Sequence, residues 1–121
     1  MKFTESHEWV DVKEQKGRVG ITAHAREELG EIVFVEFPSV GDEVKLGEEV
    51  AVLESTKAAA DIYSPVSGKV IAVNEALRDD IGLINSDPEG QGWLFELELE
   101  KSAELEMLLE HASYRALIGQ N

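Results

Sequence analysis

Short apolar runs separated by turn residues fill most of the chain, and they predict a mainly β fold with short helices. Runs of roughly four to eight alternating or continuous apolar residues, bounded by Gly, Pro, Asn, Asp or Ser, are typical of strands. We predict strands at 7–13, 18–22, 31–37, 49–54, 59–64, 69–74 and 93–99. The run at 31–37 is almost continuously apolar, which favours burial on both of its faces.

Helical signals are confined to two places. Thr22 can cap a short helix that Gly30 would end in a left-handed conformation. Near the C-terminus, Ser102 can begin a helix, and the pattern predicts C-terminal helices over about 102–118. The helix that begins at Ser102 would place apolar residues on one face, at Leu105, Leu108, Leu109 and Ala112. A second would start near Ser113 and carry Tyr114, Leu117 and Ile118.

Length and composition indicate one globular domain spanning 1–121. Its 121 residues are 43% hydrophobic and 30% charged, which is enough to bury a core without covalent staples. No apolar run approaches the roughly 18 residues that a membrane span needs. The first residues do not resemble a secretory signal, and the acidic, Arg-poor composition does not fit a transit peptide. We therefore expect a cytoplasmic bacterial protein, or a mitochondrial matrix protein if a transit peptide has been removed.

The charge and the absence of cysteine exclude several classes of function. Eleven Lys and Arg against 25 Asp and Glu give a net charge of -14, which would repel nucleic acid. Without cysteine there can be no disulfide, thiolate metal site or Cys nucleophile. The three histidines, His7, His24 and His111, are scattered without zinc-site spacing. We predict neither a metal site nor a catalytic group.

Lys57 is the candidate for chemistry. It lies in a tight turn at 55–58 between two predicted strands, and small residues follow it. A covalent arm needs an exposed lysine amine that can form an amide, on a backbone rigid enough for the arm to move alone. Gly turns that lead into short strands precede this hairpin at 40–44 and follow it at 67–71, which suggests an approximate two-fold relation around Lys57.

The stretch 54–68, ESTKAAADIYSPVSG, resembles the lipoylation motif of glycine cleavage H proteins. Further segments resemble that family in the family's order along the whole chain. They are 6–10 (SHEWV), 20–22 (GIT), 29–35 (LGEIVFV), 74–77 (NEAL), 83–88 (LINSDP) and 92–94 (GWL). Thr56 departs from the family pattern, in which valine often precedes the lysine, so the surface offered to a modifying enzyme is more polar here.

The resemblance implies a barrel-sandwich hybrid of the lipoyl/biotinyl (hammerhead) type plus a C-terminal helix, with lipoate attached to Lys57. Such a carrier serves glycine catabolism and one-carbon metabolism without catalysing a reaction itself. It moves the aminomethyl group of glycine from a pyridoxal-phosphate glycine decarboxylase to an aminomethyltransferase, and dihydrolipoyl dehydrogenase reoxidises it. A lipoate ligase or lipoyltransferase would attach the arm. A shuttle that visits three enzymes is best served by a monomer.

The resemblance also implies three contacts for the arm. Glu8 and Asp61 match positions thought to hold the cationic amine of the carried group, and Ser6 lies near Glu8. A carboxylate can hold such an amine through a charge-assisted hydrogen bond.

Other functions stay open from the sequence. An H-like lipoyl carrier for lipoate relay or sulfur metabolism would use Lys57 in the same way. A biotin acceptor is disfavoured because methionine usually flanks its lysine, whereas Thr56 and Ala58 stand here. A hydrolase with paired carboxylates is disfavoured because no nucleophile or cofactor motif accompanies the acids.

Overall fold

A computed structural model describes residues 1–119, and nine strands along this part of the chain form two antiparallel sheets. The strands are β1 (Lys2–Phe3), β2 (Glu8–Lys13), β3 (Lys16–Ile21), β4 (Ile32–Glu36), β5 (Glu43–Val44), β6 (Glu49–Ser55), β7 (Ala59–Tyr63), β8 (Gly68–Val73) and β9 (Phe95–Leu99). One sheet has the order β1-β2-β3-β9-β8-β5, and the other has the order β4-β6-β7. Over the described residues the two sheets do not close into a barrel.

The inner faces of the two sheets share one hydrophobic core, so the predicted mainly β class is confirmed. Val19 and Leu97 of the larger sheet are buried in the same cluster as Leu53 and Ile62 of the smaller one. Alternation is clearest along β9, where Phe95 and Leu97 are buried and the charged residues Glu96 and Glu98 follow each of them. The smaller sheet therefore packs against the larger one through this core.

The helices are short and lie between or after the strands. They are α1 (Ala23–Leu29), α2 (Ala76–Asp79), α3 (Gly82–Ser86), a 3₁₀ helix (Ser102–Met107) and α4 (His111–Leu117). The predicted caps of α1 are present: the Thr22 hydroxyl accepts a hydrogen bond from Ala25 N–H, and Gly30, with φ of 84°, donates its N–H to Arg26 O. Within residues 1–119, no helix is long and apolar enough to cross a membrane.

The prediction that 31–37 is buried on both faces is wrong. Ile32 and Val35 are buried, but Val33 and Phe34 are 49% and 53% exposed. Strand β4 is at the edge of the three-stranded sheet, and a register shift between Ile32 and Phe34 interrupts its pairing with β6. One face of β4 therefore covers the core while the other meets solvent.

The C-terminal prediction is correct about helical structure but wrong about its arrangement. The chain forms a 3₁₀ helix and then becomes extended, because Leu109 exchanges backbone hydrogen bonds of 2.8 and 2.9 Å with Phe3. An apolar α-helical face through Leu105 and Ala112 therefore does not form. Helix α4 begins at His111, before the predicted Ser113, and packs Tyr114 into a second apolar cluster.

The two Gly-turn segments on either side of Lys57 pair with each other. Strand β5 is antiparallel to β8, with Glu43 opposite Lys69 and Val44 opposite Gly68. The β6–β7 hairpin is the segment between them, so its ends are joined through the larger sheet. The two segments that the sequence relates around Lys57 are therefore neighbours in one sheet.

Gly20 is required by the packing of Trp9 across strands β2 and β3. The two residues are paired in register, and a Cβ added at Gly20 would lie 2.7 Å from Trp9 Cζ2. The indole cannot easily retreat, because its Nε1–H donates a 3.0 Å hydrogen bond to Pro88 O.

We therefore expect Gly20→Ala to lower the free energy of unfolding by about 1–3 kcal/mol through overpacking. Gly82→Ala is the matched control, because a Cβ there would meet only the side-chain end of Asp80, at 3.0 Å. Urea denaturation of both variants measures the difference, and equal stabilities would contradict a close indole–backbone contact.

Candidate functional site

Lys57 is at the tip of the β6–β7 hairpin, and its side chain is exposed. The turn is closed by a 2.8 Å hydrogen bond from Ser55 N–H to Ala58 O. The Ser55 hydroxyl accepts hydrogen bonds of 3.1 Å from the N–H groups of both Lys57 and Ala58. It also donates a 3.1 Å hydrogen bond to Ala58 O. One serine side chain thus fixes the backbone on both sides of the lysine.

A second contact anchors the tip to the neighbouring strand. The N–H of Thr56 donates a 3.0 Å hydrogen bond to Glu31 O, just before β4. The Lys57 side chain then leans over the end of α1, with Nζ 3.5 Å from Glu28 O. A Cβ at Gly30 would lie 2.9 Å from Lys57 Cε, so the glycine leaves space for the lysine stem. The backbone is held while the amine remains accessible.

Glu8 is buried, with 1% of its surface exposed. Its Oε1 accepts hydrogen bonds of 2.6 Å from the hydroxyls of both Thr4 and Ser6. Within residues 1–119, its Oε2 accepts one long hydrogen bond, 3.4 Å, from Tyr63 N–H at the end of β7. The structure therefore brings Ser6 and Glu8 together and leaves Oε2 as the less satisfied oxygen.

Burial raises the pKa of the Glu8 carboxyl, because removal from water disfavours the charged form. The hydrogen bonds from Ser6, Thr4 and Tyr63 act in the opposite direction and lower the pKa, but burial has the larger effect. A cation placed beside this carboxylate would favour its ionised form.

Asp61 is in a different environment from Glu8. It is on β7 opposite Val52, and its neighbour Ile62 points into the core, so the Asp61 side chain points outward. It is exposed in a shallow groove beside Glu36 and Glu49. The hairpin that carries Lys57 thus also carries this acid, which is exposed whereas Glu8 is buried.

The sequence suggested that the three histidines are scattered, but the structure brings two of them together. The His7 and His24 rings have centroids 4.9 Å apart, and His24 Nε2 is 2.9 Å from Glu28 Oε1. Burial, and then the neighbouring His24, lowers the pKa of the His7 imidazole, while Glu28 raises it. The sequence could have indicated the contact between His24 and Glu28, because they are four residues apart on α1 and residues i and i+4 share a helix face.

The comparisons with known proteins agree with one another over the whole chain. The family description "Glycine cleavage H-protein" matches residues 1–121. The chain belongs to the glycine cleavage H-protein family. It is 52% identical over 119 residues to the glycine cleavage system H protein of Thermotoga maritima, covering 98% of this chain and 96% of the relative. The corresponding protein of Coprothermobacter proteolyticus is 50% identical over 121 residues, with 99% and 95% covered.

A solved structure agrees with this assignment in three dimensions. A crystal structure of a glycine cleavage system H protein from Mycobacterium marinum superposes with a TM-score of 0.86 at 37% identity. The match covers 98% of this chain and 95% of that chain. The family membership of the chain therefore rests on sequence and on fold together.

The raised pKa of Glu8 gives a testable pH dependence of stability. The folded protein binds this proton more tightly than the unfolded chain, whose carboxyl has the ordinary pKa of 4.5. The stabilising contribution is therefore complete below pH 4.5 and is lost as the pH rises through the raised pKa. As the pH rises from below 4.5 through the raised pKa, the wild type should lose unfolding free energy relative to Glu8→Gln.

Urea denaturation at several pH values measures this difference. Glu5→Gln, at an exposed position in the turn that precedes Glu8, is the control and should follow the wild type. A constant gap between wild type and Glu8→Gln across the pH range would contradict the burial effect.

Proposed function

We propose that this chain is the lipoyl carrier of a glycine cleavage system, with lipoate in amide linkage to Lys57. The observation that carries the proposal is the exposed Lys57 amine at the tip of an anchored hairpin in a chain of the H-protein family. In this role the protein is a single carrier domain, 1–121, and not an enzyme.

The residues around Lys57 fit an attached arm. Ala58 and Ala59, which follow it, are small and exposed, so a modifying enzyme can reach the amine from the tip. The Ser55 hydroxyl and the Thr56–Glu31 hydrogen bond restrain the backbone, so movement is concentrated in the side chain beyond Cα. Among the described residues, the hydrogen-bond partner of the Lys57 amine is Glu28 O at 3.5 Å, and an amide at this nitrogen would keep one N–H for that contact.

Lipoate supplies a disulfide that can be reduced while a sulfur takes up the aminomethyl group of glycine. The chain's contribution is to hold the amine of that group at a carboxylate. We place this role on Glu8 Oε2, whose protein partner is a long hydrogen bond from Tyr63 N–H. Because Glu8 is 1% exposed, the amine can reach Oε2 only if residues that cover the carboxyl group move.

Asp61 is proposed as a second, outer contact for the same amine. It is exposed and lies four residues after Lys57 on the same hairpin. An exposed carboxylate interacts weakly with a cation in water, whereas a buried one holds it more strongly. We therefore assign the tighter hold to Glu8 with Ser6 and a transient contact to Asp61.

The partners follow from the proposed role. They are a pyridoxal-phosphate glycine decarboxylase, an aminomethyltransferase, dihydrolipoyl dehydrogenase, and the lipoate ligase or lipoyltransferase that loads Lys57. The net charge of -14 favours brief encounters with basic surfaces on these enzymes and disfavours self-association, which fits a monomeric carrier. Bacterial relatives support a cytoplasmic setting.

Lipoylation at Lys57 can be tested by intact-mass measurement. Incubation with a lipoate ligase, lipoate and ATP should add one lipoyl group to the wild type and none to Lys57→Arg. Lys69→Arg is the matched control, because Lys69 is also exposed but lies within a paired strand. One lipoyl group on Lys57→Arg would refute the assignment of the attachment site.

The role of Glu8 can be tested on the loaded protein. Glu8→Gln keeps the shape of the side chain but removes its charge, so the aminomethyl group should be lost at least about tenfold faster, as expected for about 1.4 kcal/mol of lost charge-assisted bonding. Asp61→Asn should have a smaller effect, and Glu5→Gln none. The time course is followed by mass spectrometry, and an unchanged lifetime in Glu8→Gln would remove Glu8 from the site.

A further inference from the structure

Three metal-ligating side chains meet beside the Lys57 hairpin. His7, from the turn before β2, and His24 and Glu28, from α1, each offer one ligand atom, and all three atoms lie within 4.8 Å of one another. The closest pair is His24 Nε2 and Glu28 Oε1, at 2.9 Å. His24 and Glu28 are four residues apart on α1 and therefore share one face of the helix.

We propose that His7, His24 and Glu28 form a binding site for one divalent transition-metal ion of the zinc class. Two imidazoles and a carboxylate are a donor set that Zn²⁺ uses with a water or another small ligand in the fourth position. The absence of thiolate donors favours Zn²⁺ and neighbouring first-row ions over softer metals. The proposal depends on these side chains alone and not on lipoylation of Lys57.

The backbone at His7 presents its ring to this cluster. His7 has φ of 73°, in the left-handed region that residues other than glycine seldom adopt. Two hydrogen bonds hold this conformation: His7 N–H donates to Thr4 O at 3.2 Å, and Thr22 N–H donates to His7 O at 3.0 Å. An unusual backbone conformation fixed by its neighbours is a frequent feature of binding sites.

A hydrogen-bonded chain behind His7 orients its ring. The Tyr114 hydroxyl is 2.8 Å from His7 Nδ1 and 2.7 Å from Thr22 Oγ1, and both Tyr114 and Thr22 are buried. With Nδ1 engaged in this way, Nε2 is the nitrogen that remains for an ion. Metal-binding histidines are commonly held by a partner on the other ring nitrogen in this manner.

The cluster is accessible and is adjacent to the proposed attachment residue. Glu28 is exposed, and His7 and His24 are half-buried, so an ion can enter from solvent while the imidazoles remain fixed. The backbone oxygen of Glu28 is also the group 3.5 Å from Lys57 Nζ. A bound ion would tie the turn before β2 to α1, and thus to the surface on which the lysine lies.

The experiment uses tag-free, chelator-treated, unmodified full-length protein titrated with Zn²⁺ by calorimetry. The wild type should bind one equivalent, and His24→Ala or Glu28→Gln should weaken binding at least about tenfold through loss of a ligand. His111→Ala and Glu27→Gln are matched controls, because each removes the same kind of side chain outside the cluster and should bind as the wild type does.

Two further readouts separate ligation from a general loss of structure. Co²⁺ should give the visible absorption of a four- or five-coordinate site in the wild type and both controls, but not in His24→Ala. Tyr114→Phe keeps all three ligands and should bind more weakly by about 10- to 100-fold. At a fixed Zn²⁺ concentration, the melting temperature should rise more in the wild type than in Glu28→Gln.

The proposal is overturned by either of two results. One is the absence of saturable, one-to-one Zn²⁺ binding by the wild type. The other is binding that His24→Ala and Glu28→Gln leave unchanged, which would place the ion elsewhere on this acidic protein. Because the protein is unmodified, neither result depends on whether Lys57 carries lipoate.

Discussion

The hydrogen bonds of the Ser55 hydroxyl hold the turn on which the proposed carrier role depends. This group accepts from the N–H groups of Lys57 and Ala58, and Thr56 N–H is bonded to Glu31 O. Without these bonds, few contacts would offset the backbone conformational entropy that the three-residue tip loses when it is ordered. With them, the lysine begins at a fixed point, so the reach of an attached arm is set by the arm itself.

The core of the two sheets carries this constraint to the rest of the molecule. The tip is continuous with β6 and β7, whose inward residues Leu53 and Ile62 are buried in the cluster shared with the larger sheet. The same packing brings the end of β7 to the start of β2, where Tyr63 N–H meets Glu8. One hairpin thus carries the exposed lysine at its tip and, at the end of β7, contacts the buried acid that begins β2.

The region around His7 shows how several weak constraints combine. His7 has a left-handed backbone, its Nδ1 contacts the Tyr114 hydroxyl that is bonded to Thr22, and its ring packs against His24. These groups come from the turn before β2, the start of α1 and helix α4. Helix α4, which contributes Tyr114, follows the extended segment in which Leu109 pairs with Phe3, and both of these residues pack in the cluster that contains Tyr114. The departure from a regular C-terminal helix therefore helps to position a residue distant in sequence.

Local pattern alone indicated the longer strands, the cap of α1 at Thr22 and the hairpin bearing Lys57, because periodicity and turn chemistry act between near neighbours, but it did not indicate β1. Only the tertiary structure decided that one face of β4 is exposed at Phe34, that Leu109 leaves helical geometry, and that Glu8 is buried while Asp61 is not. It also brought His7 to His24. These features depend on which surfaces the two sheets cover and on pairing between distant segments, and neither is encoded in local periodicity.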